Sequence, residues 1–267
     1  MLTFLLVCAC AVIAIAVALD SISIGGDSRS TCYVEGSNGQ VRLSPEQMGN
    51  AAVIAGVGAD MGASDRAITI ALATAMQESS LRNLDHGDRD SLGLFQQRPS
   101  QGWGSEEQVQ DRVYASTAFY SRLLELPGYA DMPLTQAAQA VQVSAFPEAY
   151  AKHEPLAEAL HATFSGGAPG ALTCTLEDSA EFDPAVFLSE LAEARPGARA
   201  MAAGEEITVF PRAGSEGEQR DLWALAHWAV ATAAQTGANS VRVADQVWTR
   251  ADGWQPASAT ITYVAVR

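Results

Sequence analysis

Positive charge is scarce in this chain. Sixteen Lys and Arg stand against thirty-one Asp and Glu in 267 residues, a formal net charge of −15. Because nucleic acid is held chiefly by neutralising its phosphates, that balance excludes a nucleic-acid partner, and an anionic lipid surface is no better matched. Cysteine is scarce as well: Cys8 and Cys10 lie in an apolar run near the start, leaving Cys32 and Cys174 for the remainder. The four histidines, His86, His153, His161 and His227, show no metal-ligand spacing with cysteine or with each other, so no metal site is expected. A phosphate loop, a dinucleotide fingerprint, a nucleophile elbow and internal repeats are also missing, and no cofactor is expected.

Apolar residues are what the chain has in quantity. With 48% hydrophobic and 18% charged residues it can bury a core, and its length suits two globular units at roughly 100–200 residues each. Residues 2–19 contain no charge, proline or glycine, which as helix gives about 27 Å, close to the thickness of a bilayer core. Two main readings stay open, ahead of a buried terminal helix: a membrane anchor over residues 1–19, or a signal peptide cut after Ala16-Val17-Ala18. Either places everything after Asp20 outside the cytoplasm. There Cys32 and Cys174 can pair, with loop closure contributing at most on the order of 4–5 kcal/mol.

The rest divides by composition. Residues 20–43 read as a spacer, polar and rich in Gly and Ser over 21–30. Residues 44–164 read as an all-α domain, opened by Ser44-Pro45-Glu46-Gln47, a capping box with proline at the first helical position. Further helices are expected over 65–79, over 111–126 with Val113, Thr117, Tyr120 and Leu124 on one face, and from 135 to 161 with a break near Pro147. Residues 165–177 form a linker carrying Cys174. Residues 178–267 read as a small α+β domain, with helices over 184–194 and 222–235 and strands over 206–210, 241–248 and 260–266. Asp252-Gly253 supplies a turn signal there. Trp223, Trp228, Trp248 and Trp254 belong to this unit, and packing is the expectation for them rather than sugar binding. The expected architecture is thus multi-domain: an N-terminal apolar helix, an all-α domain and a small α+β domain.

The helix over 65–79 carries the chemistry. Residues 67–76 have no charged member on any face, so the helix is central, and Glu78 emerges at its end in line with Ala67, Ala71 and Thr74. Desolvation at that position disfavours the charged carboxylate and raises its pKa, as a general acid requires. Ser79 sits beside it. A loop holding Asp85, Asp88 and Asp90 follows; its spacing does not match a calcium loop, and it reads as solvated and held by Arg82 or Arg89. Gly93-Leu94-Phe95-Gln96 then returns.

A Glu-Ser at a helix end followed about fifteen residues later by Gly-Leu-Phe-Gln resembles the lysozyme-like domain of the lytic transglycosylases and goose-type lysozymes, as found in actinobacterial cell-wall proteins. The resemblance covers residues 44–164. It implies that Glu78 protonates the glycosidic oxygen between N-acetylmuramic acid and N-acetylglucosamine in peptidoglycan glycan strands. The same residue, deprotonated, then assists attack by the muramoyl C6 hydroxyl or by water. It further implies substrate contacts from Gln96 and Gln97, Phe95 packing beneath the sugar, and Ser79 as a polar neighbour. Trp103, between Gly102 and Gly104, is a candidate for stacking on a pyranose. The family's Ala-Tyr-Asn-Ala-Gly motif, whose tyrosine orients the acid, has no clear equivalent. Its place reads Gln142-Val143-Ser144-Ala145-Phe146-Pro147, and Tyr150 is the nearest tyrosine, so Tyr150, Gln142 and Ser144 are the candidates for that contact. A second class of function stays beside the enzyme: a scaffold that holds glycan uncut while the C-terminal unit docks an envelope protein.

Overall fold

The computed structural model describes residues 30–37, 39–142, 147–177, 181–211 and 218–267. The apolar helix expected over residues 2–19 lies outside these, as do Val143, Ser144, Ala145 and Phe146. Among the described residues, no helix is long and apolar enough to cross a membrane.

The first helix, α1 (Pro45–Asp60), is closed by the capping box. The Gln47 amide donates to Ser44 Oγ at 3.2 Å, and the Ser44 amide donates to Gln47 Oε1 at 2.8 Å. Next, α2 (Asp65–Ser79) is capped by Ser64 and buries every residue from Ala67 to Ala75. A short α3 (Glu106–Gln110) leads to α4 (Arg112–Glu125), which packs on both α1 and α2. Being clasped from two sides, α4 buries Ala115, Ser116, Phe119, Tyr120 and Leu123, and leaves Leu124 37% exposed. The stripe expected from Val113, Thr117, Tyr120 and Leu124 is therefore rotated. Then come α5 (Leu134–Gln142), a 3₁₀ segment (Pro147–His153) and α6 (Glu154–Phe164), the last packed along α2.

These helices are not an all-α domain. Strands β1 (Thr31–Gly36) and β2 (Gly39–Leu43) form an antiparallel hairpin, and β3 (Leu172–Thr175) pairs with the other side of β1, giving the order β2-β1-β3. This sheet packs on α6. The expected spacer thus holds the strands Thr31–Gly36 and Gly39–Leu43, and the expected linker holds a strand. Cys32 and Cys174 lie opposite each other in the β1–β3 register and are joined by a disulfide.

In the C-terminal region α7 (Pro184–Ala194), β4 (Arg199–Ala203), β5 (Glu206–Phe210), α8 (Glu218–Ala231), α9 (Ala233–Thr236), β6 (Ser240–Thr249) and β7 (Gly253–Val266) follow in order. The antiparallel sheet runs β4-β5-β7-β6. The residues before Gly253, at φ +66°, turn β6 back into β7, and β7 starts well before the residue 260 expected for it. Helix α8 covers one face of the sheet and also touches α1, α6 and β3.

The two regions share one apolar core. Across the seam, Trp248 Nε1 donates to the Cys174 carbonyl at 3.0 Å and Trp254 Nε1 to the Leu172 carbonyl at 2.7 Å. The Leu176 amide donates to the Arg250 carbonyl at 3.0 Å. The imidazole of His227 bonds the Thr163 carbonyl through Nδ1 at 2.9 Å, and since a carbonyl can only accept, Nδ1 carries the proton. The molecule is α+β, with nine α-helices and two antiparallel sheets among the described residues. That overturns the expected sequence of an all-α lysozyme-like domain and a separate α+β one.

Candidate active site

Helix α2 ends in an unusual way. Both Ser80 (φ 54°) and Leu81 (φ 59°) are left-handed, a conformation costing side-chain-bearing residues about 1–2 kcal/mol each. Helix α1 braces this exit: Gln47 Nε2 donates to the Ser80 carbonyl and Asn50 Nδ2 to the Leu81 carbonyl, each at 2.8 Å. Leu81 itself is fully buried. The chain therefore leaves α2 at a fixed angle, immediately after Glu78 and Ser79.

The two sequence motifs meet here. Ser79 is buried, and its hydroxyl donates to the Leu94 carbonyl at 2.7 Å, fastening the helix end to the Gly93–Gln96 segment. Gly93 adopts φ +75° with its α-carbon against the Val109 carbonyl, so that any side chain there would collide with backbone. Phe95, fully buried, stacks on Phe119 with ring centroids 4.6 Å apart. Its carbonyl accepts from Gln142 Nε2 at 2.6 Å.

Glu78 is half-buried on this platform. The Tyr150 hydroxyl donates to Glu78 Oε1 at 2.6 Å. Burial pushes the carboxyl pKa up, and hydrogen bonds from Tyr150 and from Gln142 oppose that rise without cancelling it. At the preceding residue of the helix, His153 Nε2 lies 3.1 Å from Gln77 Oε1, and burial holds the imidazole pKa below its ordinary value. His153 was invisible to spacing arguments because its partner is 76 positions away.

The remaining candidates are distributed unevenly. Gln96 is partly exposed, in the left-handed region at φ 48°, with Nε2 toward the His86 and Gly93 carbonyls. Gln97 is buried, donating to the Ala115 carbonyl at 2.9 Å, while its Oε1 has no hydrogen-bond partner among the described residues. Its side chain belongs to the core and not to a sugar-facing wall. Phe95 likewise has no exposed face. Trp103 is 7% exposed, with the Arg122 guanidinium 3.4 Å above its ring, so that face is occupied. Tyr150 is fully buried apart from what its hydroxyl reaches. Ser144 lies outside the described residues.

The acidic loop divides in two. Asp90 accepts from the Ser100 amide and from Arg98 Nε, both at 2.8 Å, and the two hold its carboxyl far below the usual range. Asp85 pairs with His86 at 2.7 Å in full exposure. Arg89 Nε lies 4.0 Å from Asp88 Oδ2, as expected for the loop, while Asp90 is held by Arg98, an arginine outside the expected pair. Among the described residues, no group of three or more His, Cys, Asp or Glu is arranged to hold a metal.

A hollow of about 350 Å³ opens at the seam, among them Asp65, His161, Arg195 and Arg220. It touches the first turn of α2, whereas Glu78 is in the last, about 20 Å away along the helix. It is not the surroundings of the acid. No protein-family model matches the chain, and no curated protein matches it.

Proposed function

We propose that this protein cleaves the β-1,4 bond between N-acetylmuramic acid and N-acetylglucosamine in peptidoglycan, as the motif resemblance to the lytic transglycosylases implies. The observation that carries the proposal is the Glu78 carboxyl, held half-buried at a braced helix end, with a raised pKa and a tyrosine hydroxyl at 2.6 Å. Such a carboxyl retains its proton nearer to neutral pH and can deliver it to the glycosidic oxygen. The C1–O bond then breaks, and the proton leaves with the departing N-acetylglucosamine hydroxyl.

Glu78, now ionised, is stabilised by Tyr150 and Gln142 and takes the proton of the attacking oxygen. If that oxygen is the muramoyl C6 hydroxyl the product is a 1,6-anhydro ring; if it is water the product is a reducing end. The resemblance to the lytic transglycosylases implies a single-acid scheme, in which Glu78 serves both steps with Tyr150 and Gln142 as its hydrogen-bond partners. The site works outside the cytoplasm, on a chain either anchored through residues 2–19 or released, and the Cys32–Cys174 disulfide supports that placement.

Purified wall sacculi incubated with the protein and with Glu78→Gln test this. Soluble muropeptides are expected from the first and at least a hundredfold fewer from the second, the usual range for losing a general acid being about 10²–10⁴. Mass spectrometry identifies the attacking oxygen, an anhydro end being lighter than a reducing end by one water. Co-sedimentation of both proteins with sacculi, without muropeptides from either, would instead establish the scaffold reading.

A further inference from the structure

The C-terminal sheet has two edges, and they are treated differently. Edge strand β6 is interrupted by register shifts on both sides of Ala244, which sits at φ 48°, and exposes Asp245. Bulges and charges of this kind discourage further strand pairing. Edge strand β4, Arg-Ala-Met-Ala-Ala, has no bulge, no proline and a single charge at its first residue. Its middle side chain, Met201, is 65% exposed, more than any other large apolar residue described. Among the described residues no strand pairs with the outer side of this even edge, and a bare methionine stands at its centre.

We propose that β4 is a self-association edge, and that its occupant is β4 of a second copy of this chain, joined antiparallel so that two four-stranded sheets become one. Charge selects that occupant. Arg199 lies at one end of β4, and the exposed Glu205 lies in the turn just past the other end, after Gly204 at φ +64°. Glu206 is already engaged, by Arg267 at 2.7 Å. In an antiparallel pair, facing residues must both point their amides toward the partner or both away, so the two-fold axis passes through a residue and not between two. Placing it at Met201 overlaps the whole strand and sets Arg199 opposite Ala203 of the second copy. Glu205 of that copy then stands in the turn that follows Ala203, at the same end of the joined strands as Arg199, where the two long side chains carry opposite charge. Symmetry repeats the pair at the other end, and the two Met201 side chains lie together on the face of the sheet that carries Thr208.

Sedimentation equilibrium of the full chain in mild detergent tests the arrangement. A monomer–dimer equilibrium is expected, shifted to monomer by Met201→Lys. Arg199→Glu and Glu205→Arg should each weaken the dimer about tenfold, since each removes two symmetry-related pairs. The double swap should restore it. Far-UV circular dichroism confirms that each variant is folded, all three positions being exposed. A chain that stays monomeric, a dimer indifferent to these variants, or charge swaps whose losses add instead of cancelling would each overturn the proposal.

Discussion

At Glu78 two influences oppose each other, burial favouring the protonated carboxyl and the Tyr150 and Gln142 hydrogen bonds favouring the ionised one; burial dominates. Tyr150→Phe removes one of the opposing bonds, so the Glu78 pKa rises further. The alkaline limb of a pH profile of muropeptide release is expected to move to higher pH, with the plateau rate down roughly tenfold or more for want of orientation. A limb that stayed in place would separate Tyr150 from the acid. Stability gives a second readout. Because the folded pKa is raised, the native state holds more protons than the unfolded one, and stability falls as pH rises through the Glu78 range. Glu78→Gln should therefore gain on the parent in urea midpoint with rising pH. His227 has the reverse sign: burial lowers its pKa from 6.5 to about 4, so the unfolded chain binds the extra proton between those values. Stability should be lost on acidification through that window, by up to on the order of 3 kcal/mol, and His227→Asn should flatten the slope.

Among the elements, α2 and its exit decide where the acid points. Asn50 supports that exit from α1, donating to the Leu81 carbonyl at 2.8 Å in a buried setting. Asn50→Ala leaves that carbonyl unbonded and is expected to cost about 1–3 kcal/mol in denaturant melts, with release of muropeptides falling alongside. Elements signalled locally could be read from the residues alone. Ser44-Pro45-Glu46-Gln47 and Ser64-Asp65 fix helix starts by bonds within four residues, and α2 spans the interval its apolar run foretells. Others carry no such signal. Strand β1 takes its second partner, β3, from some 140 positions later, and β4, Arg-Ala-Met-Ala-Ala, has no β-branched residue to announce a strand. The buried face of α4 departs from its apolar stripe for a related reason. Ser116 enters the core because its hydroxyl is satisfied by the Arg112 carbonyl at 2.7 Å. At the site, Glu78, Ser79 and the Gly93–Gln96 segment were legible as a pair of motifs; the bond from Tyr150 spans 72 positions, and only three-dimensional packing brings its hydroxyl to the carboxyl.

For the whole molecule, a shared core and a disulfide between β1 and β3 predict one cooperative unfolding event and not two. Four of the five tryptophans belong to the C-terminal region, while most helix lies before it. Tryptophan fluorescence and far-UV circular dichroism should therefore report the same melting temperature; two separated transitions would show the regions to be independent. Replacing both Cys32 and Cys174 by serine should lower that single temperature, by at most the equivalent of about 5 kcal/mol, without splitting it.

The strand that holds Cys174 is clamped from both directions: the disulfide grips it from the first sheet, while the indoles of Trp248 and Trp254 grip its carbonyls from the second. Tension applied at the far sheet thus travels through β3 into β1, and from there into α6 and the helix bearing the acid. A load on the outer sheet thus has a continuous path of covalent and hydrogen-bonded links toward the helix that carries Glu78.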